Sequence, residues 1–561
     1  MRRPLRSSLP LLLAALFFGI LAGARAQTPQ DSSVFGEQID VRVVNVEAVV
    51  TDRGGNRVTG LKPEDFRLRV DGKEVPIEYF SEVKDGRALA PPAPSAAAPK
   101  PGEKPGEKAE AAVQGLTEGP VGTYYLVFVD DYFAIAQQRN LVLQSMKADL
   151  SRLRPEDRMA IVAYDGGRLA LLSSWSSSRE DLARAFDQAM ARPPHGLDRR
   201  VEAKRLATDE GFAGQTVGDS APLDTVSRMQ GLNERQISYG NTLYRQVQGD
   251  VQAAVSAMRG FAAPHGRKVM LLLSGGWPFS IQSYLSGGSG GGMPTRAIPE
   301  GDKLFSPLAR TANLLGYTLY PVDLPGIQTA AVDAEAEAPG GFSSAAEQEI
   351  EGSLKFLAQE TGGTPILNSN RTLALAKTEA DTRSFYWLGF SPTWQRNDKP
   401  HDIRLEARRT GLQVRSRTGF LDLSRKAEVS MEVESALLFG NPPGGVRMPM
   451  KVGAPVKTKR GETEIPITLG LPVDLMTVVP VDGKFAAQLE LRFAASDASG
   501  NSSEIPVVPV SLKSERPPTP GKVVKYETRI TLRGGANHIV VAAYDPLSGK
   551  IATAEADVKT P

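Results

Sequence analysis

Residues 124–137 read YYLVFVDDYFAIAQ, an apolar run from Tyr124 to Val129 that stops at two adjacent acids, Asp130 and Asp131. Carboxylates at the end of a buried strand are costly unless they are solvated or paired. In open parallel α/β sheets that end is where ligands bind. Three chemistries suit such a pair. It can hold a hard divalent cation through oxygen. It can divide into a general acid and a general base. It can accept hydrogen bonds from the N–H groups that open the next helix, expected over 134–153. Two further acids close predicted strands: Asp165 after 157–165 and Asp323 after 317–323. If those strands are parallel, all four carboxylates share one rim. Tyr132 and Phe133 follow the first strand and Trp277 follows the strand KVMLLLSGG. These rings either pack beneath the loops or, if exposed, form an aromatic binding rim beside the acids.

The catalytic chemistry lacks its other parts. No aromatic platform or positioned base accompanies the acids. Ser274 sits in a Ser-Gly-Gly turn and not in a nucleophile elbow. The glycine run over 286–292 lacks the Lys-Ser/Thr of a phosphate loop and reads as a flexible surface loop. The chain has no cysteine, which excludes thiol catalysis, cysteine zinc sites and iron–sulfur clusters. The histidines, His195, His265, His401 and His538, are not spaced as a metal-binding pair.

The elements that must position these residues follow from periodicity. DVRVVNVEAVVT (40–51) and the segment 61–83, hinged at Asp71-Gly72, read as strands of a small β unit. A Pro/Ala-rich linker fills 88–121. Strands and helices then alternate: strands 124–130, 157–165, 268–276, 317–323 and 361–367, a hairpin partner at 168–175, and helices 134–153, 178–190, 242–262, 303–315 and 344–360. Such alternation implies a mostly parallel sheet covered on both faces. Residues 193–238 show no clear period. Strands return at SFYWLGFSP, HDIRLEARR and LQVRSRTGF, which are expected to complete the N-terminal β unit. Trp387 and Trp394 in this region are expected to seal the domain interface. Seven strand-like runs from AEVSMEVESALL to KIATAEADV suggest a C-terminal antiparallel sandwich.

Bulk properties bound the class. With 561 residues and 41% hydrophobic content, several real cores are expected. The net charge is +2, from 66 basic and 64 acidic residues, and no basic stripe marks a nucleic-acid partner. Arg2, Arg3 and Arg6 precede the apolar run 9–23 and an Ala24-Arg25-Ala26 cleavage pattern, so residues 1–26 read as a signal peptide. The run is short of the roughly 20 residues a membrane span needs, and no later segment is long and apolar enough. Export is expected, to the periplasm, outer surface or medium, with no transmembrane span after cleavage.

The combination of LVFVDD, RPEDRMAIVAYDGG, GRKVMLLLSGGWP and LAQETGG over residues 122–383 resembles a von Willebrand factor type A domain. The flanks VVTDRGGNRVTGLKPEDFRLRVDGKEVPIEYF and IRLEARRTGLQVRSRTGFL resemble those of the acidobacterial type-A-related family of exported proteins, so that the likeness spans about 40–423. The resemblance implies a doubly wound, mostly parallel sheet in the order 3-2-1-4-5-6, with β-sandwich domains flanking it. With the C-terminal run of strands, the expected divisions are 27–87 (completed by 384–423), 122–383 and 424–561. The resemblance also implies a non-enzymatic role in binding a protein or cell-envelope ligand through the top face of the sheet. Members that bind through metal use an Asp-x-Ser-x-Ser motif, a Thr from a second loop and an Asp after the fourth strand. Here Asp130 keeps the first acid, Tyr132 and Ala134 stand at the serine positions, and Gly275 stands at the last acid. Thr242, expected to open a helix, and Ser274 are the remaining oxygen donors. The expectation is a degenerate site with no metal and no other cofactor. The alternatives are weak Mg²⁺ or Ca²⁺ binding by a remodelled rim of Asp130, Asp131, Asp165 and Asp323, which would make the protein a metal-dependent adhesin, and a carboxylate hydrolase.

Overall fold

A computed structural model describes residues 43–89, 119–199, 201–202, 222–262, 267–285, 301–324, 342–392, 395–439, 446–457, 463–481, 483–497, 505–532 and 534–560. The segment expected as a signal peptide, most of the Pro/Ala-rich linker, the glycine run, Trp394 and a large part of 193–238 lie outside these residues. Residues Arg42–Pro561 form one compact unit. Its content is mixed α/β: the central sheet is mixed parallel and antiparallel, and the other sheets are antiparallel apart from one short parallel pair, Val446–Arg447 with Ile551–Thr560. Among the described residues no helix is long and apolar enough to cross a membrane.

Strand Val44–Thr51 pairs antiparallel with Phe385–Phe390 and with Gln413–Ser416, and Phe66–Val70 pairs with Pro400–Ala407. The β unit is therefore made from chain on both sides of the α/β segment. Asp71 and Gly72 take φ of 48° and 78° and join Phe66–Val70 to Lys73–Val75. Both lie in the left-handed region that a two-residue hairpin turn requires. The two sheets enclose Val46, Leu68, Phe66, Phe80, Tyr386 and Leu388. Trp387 is buried beside Phe385, Val49 and Val83 on the other side of its strand.

The central sheet runs, edge to edge, Tyr317–Asp323, Arg267–Ser274, Thr123–Asp130, Arg158–Tyr164 and Leu169–Ser176. Neighbours are parallel except for the last, which is the antiparallel hairpin partner. Side chains alternate across the strands. Leu126, Phe128, Ala160, Val162, Met270 and Leu272 pack under helices Pro222–Gly260, Gly301–Leu315 and Phe342–Thr361. Val127, Val129, Ile161, Ala163, Leu271 and Leu273 pack under helices Ala136–Ala148, Arg179–Ala191 and Ala374–Thr382. Burial on both faces is what makes these strands read as continuous apolar runs.

Three expectations need correction. The strand expected over 361–367 is reduced to one parallel bridge, Val322 to Ile366. Gly362, at φ 77°, ends the preceding helix in the left-handed conformation, and Pro365 has no N–H for a ladder. The helix expected over 242–262 spans Pro222–Gly260, so it absorbs part of the segment without clear period. AEVSMEVESALL, expected as a strand, lies in the helix Arg425–Phe439. Val429, Val433, Ala436 and Leu437 recur at helical spacing and are buried. Ser424 Oγ accepts from the Ala427 N–H at 3.1 Å and caps the first turn. The other C-terminal runs are strands of two sheets that close over Ile467, Leu469, Leu491, Ile539 and Val541.

Candidate functional site

The register of the central sheet brings its strand ends level. Asp130 pairs with Tyr164, Leu273 with Val129, and Ser274 with Asp323. Asp130 and Ser274 are therefore neighbours at one edge, as the sequence suggested, and both are buried. What surrounds them is a closed hydrogen-bonded knot. Asp130 Oδ1 accepts from the backbone N–H of Tyr132 and of Phe133, each at 3.0 Å. Its Oδ2 accepts from Ser274 Oγ at 2.7 Å and from the Trp277 indole N–H at 3.1 Å. These bonds tie down the turn after the strand. They are not the helix cap that was expected, because the helix begins later, at Ala136, with no side-chain cap.

The Trp277 indole N–H also reaches Asp250 Oδ2 at 3.2 Å, so one donor is shared by two fully buried carboxylates. Asp250 Oδ1 is buried and has no hydrogen-bond partner among the described residues. Burial pushes the Asp130 carboxyl up to about 7, against the pull of its bonds to Phe133 and Ser274. Burial raises Asp250 well above the carboxylate range, and the neighbouring Asp130 raises it further. Asp250 was missed in the sequence. Its signal was present: it interrupts the apolar helical stripe Leu243, Val247, Val251 and Ala254.

Asp131 has a separate role. It is fully buried between Arg139 Nη1 at 2.5 Å and Arg192 Nε at 2.6 Å. Arg139 also donates to the backbone carbonyls of Met190 and Arg192, at 3.1 and 2.9 Å. The ion pair thereby locks the loop after helix Arg179–Ala191 onto the loop after the first strand. Arg192 reaches Asp165 Oδ2 as well, at 3.4 Å. Asp165 uses Oδ1 to hold its own turn, accepting from Gly167 and Arg168 N–H. Asp323 pairs with Arg371 at 3.2 Å. Asp131, Asp165 and Asp323 are thus paired with arginines that no local motif announces, whereas Asp130 is held by neutral donors alone.

The aromatic rim also needs correction. Phe133 and Trp277 are fully buried, and Trp277 stacks on Phe305 with centroids 6.1 Å apart. Tyr132 is half-buried: its hydroxyl accepts from Arg199 Nη1 at 3.1 Å, and its ring lies against Gly166, where a Cβ would come within 2.2 Å of it. Gly196 approaches just as closely, since a Cβ there would sit 2.4 Å from the carbonyl oxygens of Phe133 and Ala134. The helical residues that follow expose Leu197 and Val201, at 57% and 49%. Thr242 does not open a helix. It lies inside Pro222–Gly260, and its hydroxyl donates to the Ser238 carbonyl at 2.9 Å.

The family metal site does not fit these residues. A carboxylate has about four lone-pair positions, and four donors fill those of Asp130. The indole of Trp277 can only donate, and it points at the oxygen a cation would need. Tyr132 is engaged by Arg199 and Ala134 carries no oxygen. Among the described residues no cluster of three acidic, histidine or cysteine side chains is arranged to hold a metal ion.

No family model matches the chain, and no curated protein matches it. Among solved structures, one entitled "X-ray structure of Northeast Structural Genomics Consortium target SoR45" aligns at 17% identity over 20% of this chain and 86% of that one, with a TM-score of 0.13, a likeness too slight to carry any argument.

Proposed function

We propose that this is an exported, non-enzymatic recognition protein of the von Willebrand factor type A class, related to the acidobacterial exported proteins. It binds a protein or cell-envelope ligand at the edge where the parallel strands end, without a built-in metal. The observation that carries this reading is the donor set around Asp130. Main-chain N–H groups, a serine hydroxyl and an indole use its oxygens to fix loops, leaving the edge to present side chains instead of a cation. The strand order supports the class: numbered along the α/β segment it is 3-2-1-4-5, with the Val322–Ile366 bridge in the place of a sixth strand. Recognition then falls to the surface built on those loops, namely Tyr132 under Arg199 with the exposed Leu197 and Val201 beside it. Exposed apolar side chains rimmed by charge are favourable anchors.

Two measurements test this. Calorimetric titration with Mg²⁺, Mn²⁺ and Ca²⁺ is expected to show no binding that depends on Asp130. Tight binding abolished by Asp130→Asn would establish metal-dependent adhesion in its place. Capture of an envelope component by the immobilised chain is expected to persist in EDTA and to fail in Leu197→Asp, with the melting temperature unchanged. Capture indifferent to Leu197 would move the binding surface elsewhere.

A further inference from the structure

A cleft of about 380 Å³ lies on the seam between the β unit and the α/β layer. Arg57 of the β unit lines it on one side. Tyr320, Thr364 and the helix Ala374–Thr382, with Lys377, Thr378 and Asp381, line the other. Its size falls in the range of small-molecule sites, about 300–1,000 Å³.

The charges in this cleft do not balance. Among the described residues that line it, Asp381 is the only acid, and that acid is fully committed. Arg415 Nη2 lies 2.9 Å from both carboxylate oxygens, Arg57 Nη2 bonds Oδ1, and the Tyr320 hydroxyl donates to Oδ2 at 2.7 Å. Two guanidiniums thus share one carboxylate. Lys377 stands one helical turn before Asp381, the spacing at which the two would ordinarily pair. The arginines have taken that partner, and Lys377 is exposed with no ion pair among the described residues. Two donors in the wall are also unused. Arg57 Nη1 and Thr378 Oγ1 are buried and have no hydrogen-bond partner among the described residues, and Thr378 is fully buried. A buried donor left unpaired is costly, and an ionised oxygen is the acceptor that rewards it most.

We propose that this cleft binds a small organic anion, its carboxylate or phosphate group held by Arg57, Lys377 and the Thr378 hydroxyl and its apolar body resting on Pro365 and Ile366. The site joins residues of both halves of the fold, so occupancy stiffens the seam. It does not depend on the recognition surface at the strand ends.

The test is calorimetric titration of the full chain with inorganic phosphate and, separately, with acetate and propionate, at constant ionic strength. Saturable one-to-one binding in the millimolar range or tighter is expected for phosphate or for the carboxylates, and which of them saturates identifies the anionic group. Lys377→Gln changes an exposed side chain and leaves the fold intact; it is expected to weaken binding about tenfold. Thr378→Val keeps the side-chain shape and removes the unpaired hydroxyl. It is expected to weaken binding while leaving the melting temperature at or above that of the wild type. A loss of affinity in either variant supports the site. Absence of saturation with every anion, or saturable binding that both variants retain unchanged, overturns it.

Discussion

Asp130 and Asp131 are adjacent acids with opposite surroundings, and the difference sets what each does. Asp131 is matched by two guanidiniums. Among the described residues Asp130 and Asp250 face no cation directly; they share one indole N–H and are pushed up by burial. Tyr132, Tyr164 and Asp131 are the other titratable groups around them. The pH dependence follows from the sign of the shifts. The unfolded chain ionises these acids near the ordinary carboxylate value, whereas the folded protein keeps them protonated to higher pH. Their contribution to stability is therefore full below about pH 4. It declines as pH rises toward the folded values, about 7 for Asp130. Each group protonated only in the folded state costs about 1.4 kcal/mol per pH unit over that window. Asp250→Asn removes one such group. The variant is expected to match the wild type near pH 4 and to gain on it steadily between about pH 5 and 7, as followed by urea unfolding. A difference that stays flat with pH would show that Asp250 is not held protonated.

At the scale of elements, two decisions ran against local pattern. The run 428–439 alternates Val429, Met431 and Val433 as a strand would, yet Val429 and Val433 are also one helical turn apart. The cap chooses between these readings. Ser424 Oγ accepts from Ala427 N–H and donates to Asp398 at 2.9 Å, and the helix packs its apolar face on Ala494, Val540 and Tyr544 of the sandwich. Ser424→Ala is expected to destabilise the protein by about 1 kcal/mol, read as a lower urea midpoint with an unchanged far-ultraviolet spectrum. The sixth strand fails for the converse reason. TGGTPIL is apolar enough at its end, but the left-handed Gly362 and Pro365 leave room for one bridge only.

For the whole molecule, the arrangement that matters is the insertion of the α/β layer into the β unit. Arg267, at the base of a central strand, lies over the Phe385 ring at 3.7 Å and pairs with Glu47 at 3.2 Å, so the two parts share a buried contact. The Pro/Ala-rich linker does not join separate bodies. Its flanks are paired strands, Arg87 with Pro120 and Ala88 with Gly119, so the chain leaves and re-enters at one place. Excising residues 91–117 and closing the gap with a short Gly/Ser turn is expected to leave the fold intact and to raise stability by no more than about 2 kcal/mol, because closure entropy varies only slowly with loop length. Unfolding at or slightly above the wild-type midpoint would bear this out, and a large loss would mean the segment contributes contacts of its own.

The sequence by itself determined the alternation of strands and helices, the hairpin at Asp71-Gly72, the strand-end placement of Asp130 and Ser274, and the absence of oxygen donors at Ala134. These are local: they depend on periodicity, turn residues and side-chain chemistry within a few positions. Only the tertiary structure decided what the acids do. Arg139 and Arg192 reach Asp131 from two different helix ends. Asp250 meets Trp277 from a helix more than a hundred residues along the chain from Asp130. Phe133 and Trp277 are buried because helices from distant segments close over them. Pairing and burial of this kind come from long-range packing, to which neither spacing nor composition is sensitive, and they set the acids and aromatics into a hydrogen-bonded edge.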